Sequence, residues 1–348
     1  MQSTFSSSLP RRVTFVSYRL GRTDGVSIEA AKWARAFEVL GARVTTVAGE
    51  GGADIVLPAL AAGARDPVDE VSLEAALASA DLVVAENICS LPLNTAAGGA
   101  VARALAGRPA ILRHHDLPWQ RRQFRDASGP PDDRAWRHVT INERSRLDLE
   151  SRGLEARTMY NRFDPEARRG ERQAVREELG FAEDEVVLLQ PTRAIRRKNV
   201  PGGLLLAAAL GATYWLLGPA EDGYGPELER VVSRARCKVV HEGPAGLAVE
   251  DAYSAADAVV LPSTWEGFGN PSIESGLHRR PLAIADYPVS FELRRYGFSW
   301  FGVQEPERLQ RFLARPDAKL LERNEHIARV HFSTAELPDA LSRLLTGK

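Results

Sequence analysis

At 348 residues the chain is too long for one ordinary hydrophobic core and fits two domains of common size. Hydrophobic residues at 44% and charged residues at 26% are those of a soluble globular protein, and a formal net charge of -1 excludes bulk attraction to nucleic acid or an anionic membrane. Cys89 and Cys237 stand far apart without CxxC or Cys/His spacing, which argues against a disulfide framework or a structural zinc and fits a reducing cytoplasm.

The opening MQSTFSSSLPRRV has no apolar run before its basic pair and reads as a frayed tail, not a secretory signal. VTFVSY (13–18) is then a strand leading into the loop RLGRTDG. Residues 27–40 form a helix with Ile28, Ala31, Phe37 and Leu40 on its apolar face, stopped by Gly41. RVTTVAG, DLVVAEN and PAILRHHD are further strands, the latter two preceded by helix-like stretches at 72–80 and 95–106. Strands that are continuously apolar imply a parallel sheet covered on both faces. The charged stretch YNRFDPEARRGERQAVREELGF carries no strand signal and places a domain boundary near 162–176.

Beyond it the same grammar repeats. EVVLLQ, TYWLLG, KVVHEG, DAVVLP and PLAIAD are successive strands, separated by helices near 201–210, 226–234, 249–256 and 271–278. Residues 199–220 carry no charge over a length that could span a bilayer, but Pro201, Gly202, Gly203 and Gly211 punctuate them as a buried helix and strand, so no transmembrane segment is expected. Two doubly wound α/β domains are the economical reading.

In such sheets ligands bind beyond the carboxyl ends of the strands. The stretch PSTWEGFGNPSIESG follows the strand DAVVL and sets Glu266 and Glu274 on either side of a Gly-Phe-Gly-Asn-Pro turn. Asn270 followed by Pro271 reads as a helix N-cap, whose first-turn amides at Ser272 and Ile273, with the backbone exposed by Gly267 and Gly269, suit an anion. Two carboxylates there can clasp the hydroxyls of a polyol. The bland alternative is a dipole-complementing Glu274 and a solvated Glu266. QPTRAIRRKNV, after EVVLL, places Arg193 and Lys198 before another helix, where they can meet one diphosphate or simply form a solvated basic loop with Arg196 and Arg197.

EGFGNPSIE matches the ExxxxxxxE signature, and RAIRRK the RxxxxK element, of the retaining glycosyltransferases of family 4, which the chain resembles in order and spacing. The resemblance runs along nearly the whole chain, through DGVSIEAAKWARAFEVLGARVTTV, RHHD and YNRFDP, although Arg162-Phe163 replaces the usual Gly-Val of the last. It implies the GT-B fold: an acceptor-side domain over 1–165, a nucleotide-sugar-binding domain over 166–332 and a terminal helix over 333–348 that returns to the first domain. It further implies that Arg193 and Lys198 bind the donor diphosphate, Glu274 the ribose hydroxyls and Glu266 the transferred sugar, with Gly267, Phe268, Gly269 and Asn270 offering amides.

His115 aligns better than His114 with the family histidine that contacts the donor sugar; its alternative is a structural histidine bonded to Asp116. The family also implies front-face attack with retention, a leaving phosphate acting as base, and closure of the two domains. No DxD motif is present, and neither metal nor cofactor is expected. Gly21, Asp24, Gly25, Glu86 and Asn87 are the acceptor-side candidates. PWQRRQFR either meets a phosphorylated or lipid acceptor or is a solvated loop, and Trp33 and Phe37 read as core.

The leading expectation is a metal-independent retaining hexosyltransferase using a nucleotide diphosphate sugar and a small-molecule or lipid-linked acceptor. Its rivals are an epimerase or hydrolase on the same frame and a noncatalytic nucleotide-sugar-binding protein. A cytoplasmic location is expected, with a peripheral membrane position open. Donor base, hexose, acceptor and oligomeric state are not legible.

Overall fold

The computed structural model describes residues 9–22, 24–166 and 170–347, so most of the N-terminal tail lies outside the described residues. The chain divides into two compact units, one holding the segments up to Arg162 and from Thr334 onward, the other spanning Phe163–Ser333.

In the first unit the order is β1 (Arg12–Leu20), α1 (Gly25–Val39), β2 (Arg43–Gly51), β3 (Ile55–Val56), α2 (Glu70–Leu77), β4 (Leu82–Glu86), α3 (Thr95–Leu105), β5 (Ala110–His114), β6 (Trp136–Thr140), α4 (Glu143–Glu150) and β7 (Ala156–Thr158). The strands form one sheet in the order β3-β2-β1-β4-β5-β6-β7, and every pairing is parallel. β4 and β5 are buried at every position, as strands covered by helices on both faces must be.

The second unit runs α5 (Arg172–Glu178), β8 (Val187–Gln190), α6 (Val200–Leu210), β9 (Thr213–Leu216), α7 (Gly225–Val232), β10 (Val239–His241), α8 (Val249–Ala255), β11 (Ala258–Leu261), α9 (Pro271–Leu277), β12 (Leu282–Ile284), α10 (Pro288–Arg294), β13 (Phe301–Gly302), α11 (Pro306–Ala314) and α12 (Ala318–His331). Its sheet is also wholly parallel, in the order β10-β9-β8-β11-β12-β13. The uncharged run is α6 followed by β9, and among the described residues no helix is long and apolar enough to cross a membrane. The last helix, α13 (Leu337–Thr346), packs in the first unit, where Leu337, Leu341, Leu344 and Leu345 share a buried cluster with Trp33 and Phe37 of α1.

Several sequence expectations need correction. The apolar face assigned to α1 is misphased: Ile28 and Ala31 are exposed, and the buried face carries Ser27, Glu29, Ala30, Trp33, Ala36 and Phe37. The reason is Glu29, a buried acid with a buried cationic partner, which a hydrophobicity pattern cannot recognise. β6 escapes detection because Arg137 and His138 interrupt its apolar run. α5 lies inside the charged stretch read as linker, anchored by Arg176, which donates to the carbonyls of Ala182, Glu185 and Ala255.

Candidate active site

In the second unit the strand order reverses between neighbouring β8 and β11, so the loops after these two strands flank the sheet's switch point, where open α/β sheets place ligands. Sequence-local devices bring the loops together. Asn199 adopts a left-handed φ of 51° between a 3-10 turn at Arg196–Lys198 and α6; its Oδ1 accepts from Gly202 N at 3.3 Å while its Nδ2 donates to Pro262 O at 3.0 Å. Thr264 N donates to Arg197 O at 2.9 Å.

Between the stitched loops lies Glu266, 4% exposed, with Lys198 Nζ 2.5 Å from Oε1 and Arg197 Nη1 2.7 Å from Oε2. Arg197 Nη1 also donates to Trp265 O at 3.0 Å. Burial alone would raise the Glu266 carboxyl, but the charges of Lys198 and Arg197 outweigh it and hold the group at about 2. Burial draws the Lys198 ammonium below its ordinary value, against the pull of Glu266, and the charges of Arg197 and Arg193 act in the same direction as burial. One carboxylate and two cations leave a net positive charge, an electrostatic invitation to an anion.

Arg193, half-buried, pairs with Glu221 at 2.5 Å, and Arg196 is an exposed partner of Glu227 at 2.7 Å. Glu274, on α9, accepts from Tyr253 Oη at 2.7 Å. Tyr253 is fully buried and stacks on His278 with ring centroids 4.8 Å apart; burial, then the Glu274 charge, pushes its phenol well above the ordinary value, so it remains a donor.

The turn between the two glutamates departs from the reading of it. Asn270 is helical, with φ -44° and ψ -41°, and makes no side-chain cap. Ser272 N and Ile273 N already donate to Gly269 O and Asn270 O at 2.8 and 3.0 Å, and both residues are buried, so those amides do not offer an anion site. Gly269 is required where it stands: its φ is +89°, and a Cβ there would come within 2.4 Å of Tyr287 Oη. Phe268 is buried and stacks on Phe163 with centroids 6.1 Å apart. Gly267 completes the turn between Glu266 and Phe268.

In the first unit His115 follows β5, and its Nε2 lies 2.7 Å from Glu86 Oε2, not against Asp116, which pairs instead with Arg121 at 2.6 Å. Glu86 is wholly buried, at the end of β4, and receives Arg113 Nη1 at 3.1 Å; Arg113 Nη2 reaches Glu29 at 3.2 Å. Burial would raise the Glu86 carboxyl, but Arg113 and then His115 bring it below its ordinary value. Glu86, the acceptor-side candidate, therefore holds His115 from its Nε2 side. Asn87, with φ 60°, accepts from His115 N at 3.1 Å.

Asp24 caps α1 by accepting from Val26 N and Ser27 N, Gly25 is the first residue of that helix, and Gly21 turns the chain after β1 with φ +68°. His114 is engaged elsewhere, in a line that runs from buried Ser90 Oγ (2.6 Å) through buried His138 (2.9 Å) to the exposed carboxylate of Asp132 (3.0 Å). With Asp132 accepting from His138 Nε2, the line runs one way, each imidazole donating from Nε2 and accepting at Nδ1. Among the described residues no group of three or more His, Cys, Asp or Glu is placed to hold a metal ion.

Arg197, Tyr253 and Tyr287 were missed by sequence reasoning. Arg197 was visible only as one of several adjacent cations, and the two tyrosines lie in elements remote from the motif.

Two wholly parallel α/β units, with a cation-paired buried carboxylate at the switch point of one, form the two-domain frame of the GT-B glycosyltransferases. No family model matches the chain. It is similar to the mannosylglucosylglycerate synthase of Thermotoga maritima, 25% identical over 95% of this chain and 99% of that protein, and to the protein of the same name from Petrotoga mobilis, 24% identical over 95% of each. Among solved structures it resembles Anabaena HepE in complex with UDP-glucose, with a TM-score of 0.77, 18% identity and coverage of 97% of this chain and 100% of that one. The sucrose-phosphate synthase of Thermosynechococcus elongatus matches with a TM-score of 0.72 and 15% identity over 96% and 98% of the two chains.

Proposed function

We propose that this chain is a retaining, metal-independent hexosyltransferase that moves a hexose from a nucleotide diphosphate sugar to a small-molecule or lipid-linked acceptor. The observation that carries this reading is the Lys198, Glu266 and Arg197 cluster at the switch point of the second sheet. Breaking the bond to the anomeric carbon leaves a diphosphate whose negative charge grows in the transition state, and the side-chain cations of Lys198 and Arg193 supply the counter-charge that other enzymes draw from a divalent ion. Glu274, with one oxygen held by Tyr253, is assigned to the ribose hydroxyls, and Glu266 to the transferred sugar. On the first unit, His115 is oriented by ionised Glu86 so that Nδ1 is left to accept from a substrate hydroxyl.

Retention follows in this reading from front-face attack, with the departing phosphate taking the acceptor's proton. HepE was captured with UDP-glucose, and the relatives bear the name mannosylglucosylglycerate synthase, which puts acid-bearing sugar acceptors first among those to try.

The test is a panel of UDP, GDP and ADP hexoses incubated with candidate acceptors and cell extract and read by mass spectrometry. Transfer that persists in EDTA and gives a product of unchanged anomeric configuration by NMR supports the proposal. Hydrolysed or epimerised sugar formed without an acceptor favours an epimerase or hydrolase, and tight donor binding with no turnover favours a binding protein.

A further inference from the structure

Glu266 is a buried carboxylate with two cationic partners, one on each oxygen. Their tethers differ. The Arg197 guanidinium also donates to Trp265 O, and the Arg197 carbonyl accepts from Thr264 N at 2.9 Å, so Arg197 is fastened at both ends to the loop that carries Glu266. Among the described residues Lys198 makes no such second side-chain bond to that loop; its Nζ contacts Glu266 at 2.5 Å on a flexible stem.

If Lys198 were the carboxylate's sole counter-ion, turning it toward an arriving diphosphate would strand a buried charge, which is strongly unfavourable. With Arg197 in place the carboxylate keeps a bidentate-capable partner. The local charge also stays balanced: two cations on one acid leave one cation to spare.

We propose that Arg197 is a positioning residue which keeps the Glu266 carboxylate paired and in place while Lys198 leaves it for the donor's diphosphate, making the lysine a switchable cation. This rests on the donor-site reading above and deepens it. Arg197 touches neither phosphate nor sugar in this scheme. It sets how much of the Lys198 charge is available to them.

The test is calorimetric titration of UDP, GDP and ADP, which lack the sugar, into the full-length protein and its variants. For the nucleotide that the unmodified protein binds, Arg197→Met is expected to weaken affinity about tenfold, the scale of one charge-assisted contact withheld. Arg197→Lys is expected to return it to within about threefold. The double variant Arg197→Met with Glu266→Gln is expected to recover affinity, because a neutral amide no longer holds Lys198; a merely structural role for Arg197 predicts no such recovery. Should Arg197→Met not fold, Arg197→Gln carries the same comparison.

Undiminished affinity in Arg197→Met, or a double variant as weak as the single one, overturns the inference and leaves the donor reading standing. If the unmodified protein binds none of the three nucleotides, the donor reading falls and the inference with it.

Discussion

Tyr287 Oη is buried and, among the described residues, has no hydrogen-bond partner, while a Cβ at Gly269 would come within 2.4 Å of it. An unmade buried hydrogen bond costs free energy, so Tyr287→Phe is expected to leave stability unchanged or raise it by about 1 kcal/mol in urea unfolding. Gly269→Ala combines a left-handed backbone with a steric clash and is expected to cost about 1–3 kcal/mol from backbone strain alone. Part of the total should return when Tyr287→Phe is added, and two exactly additive costs would show that the hydroxyl is not what the methyl meets. The imidazoles of His114 and His138 make a second test. Burial, chiefly, holds both below the ordinary value of 6.5, so the unfolded chain binds more protons than the folded one once pH falls under it. Their contribution is fully present above about pH 6.5 and erodes as pH falls toward their folded values. The urea midpoint should fall on acidification from pH 7.5 to 5.5, and a flat profile would mean that the histidines are not held neutral.

At the scale of elements, α1, β4 and β5 meet in a charge cluster instead of apolar contact alone. Arg113, fully buried with its guanidinium 4.2 Å from the Trp33 ring, bonds to both Glu29 and Glu86. Arg113→Met strands two buried acids and is expected to cost about 3–5 kcal/mol of stability, measurable as a lost or separated unfolding transition. The same cluster marks the edge of what the sequence discloses. β4, β5, β8, β9 and β11 were legible because apolar continuity is a local signal, and Lys198 and Glu266, which the fold pairs, stand in two motifs whose spacing is one as well. The face of α1 and the strand β6 were not, since Glu29 and His138 are buried by partners remote in sequence. Arg197 failed differently: four neighbouring cations look alike until the fold turns one inward.

Over the whole molecule, the chain crosses from the first unit into the second after Arg162 and back after Ser333, and the two crossings are bonded side by side, Phe163 N donating to Phe332 O at 2.7 Å. The first unit is thus discontinuous and the second continuous. A chain ending at Ser333 lacks Leu337, Leu341, Leu344 and Leu345, and so leaves part of the cluster around Trp33 and Phe37 uncovered. Its first unit is expected to unfold at lower urea than in the full chain, or to be degraded by limited proteolysis, while 163–333 persists as a protected fragment. Simultaneous loss of both units would show that they depend on each other for stability.

The place of α13 in the first unit also bears on how the polypeptide matures on the ribosome. The segment up to Arg162 must wait for the segment from Thr334 onward, whereas the portion made in between has its own complete interior as soon as it emerges. The unit built from the two separated segments is therefore the later of the two to be finished, and a nascent chain in which 334–347 have not yet emerged would expose it to chaperones.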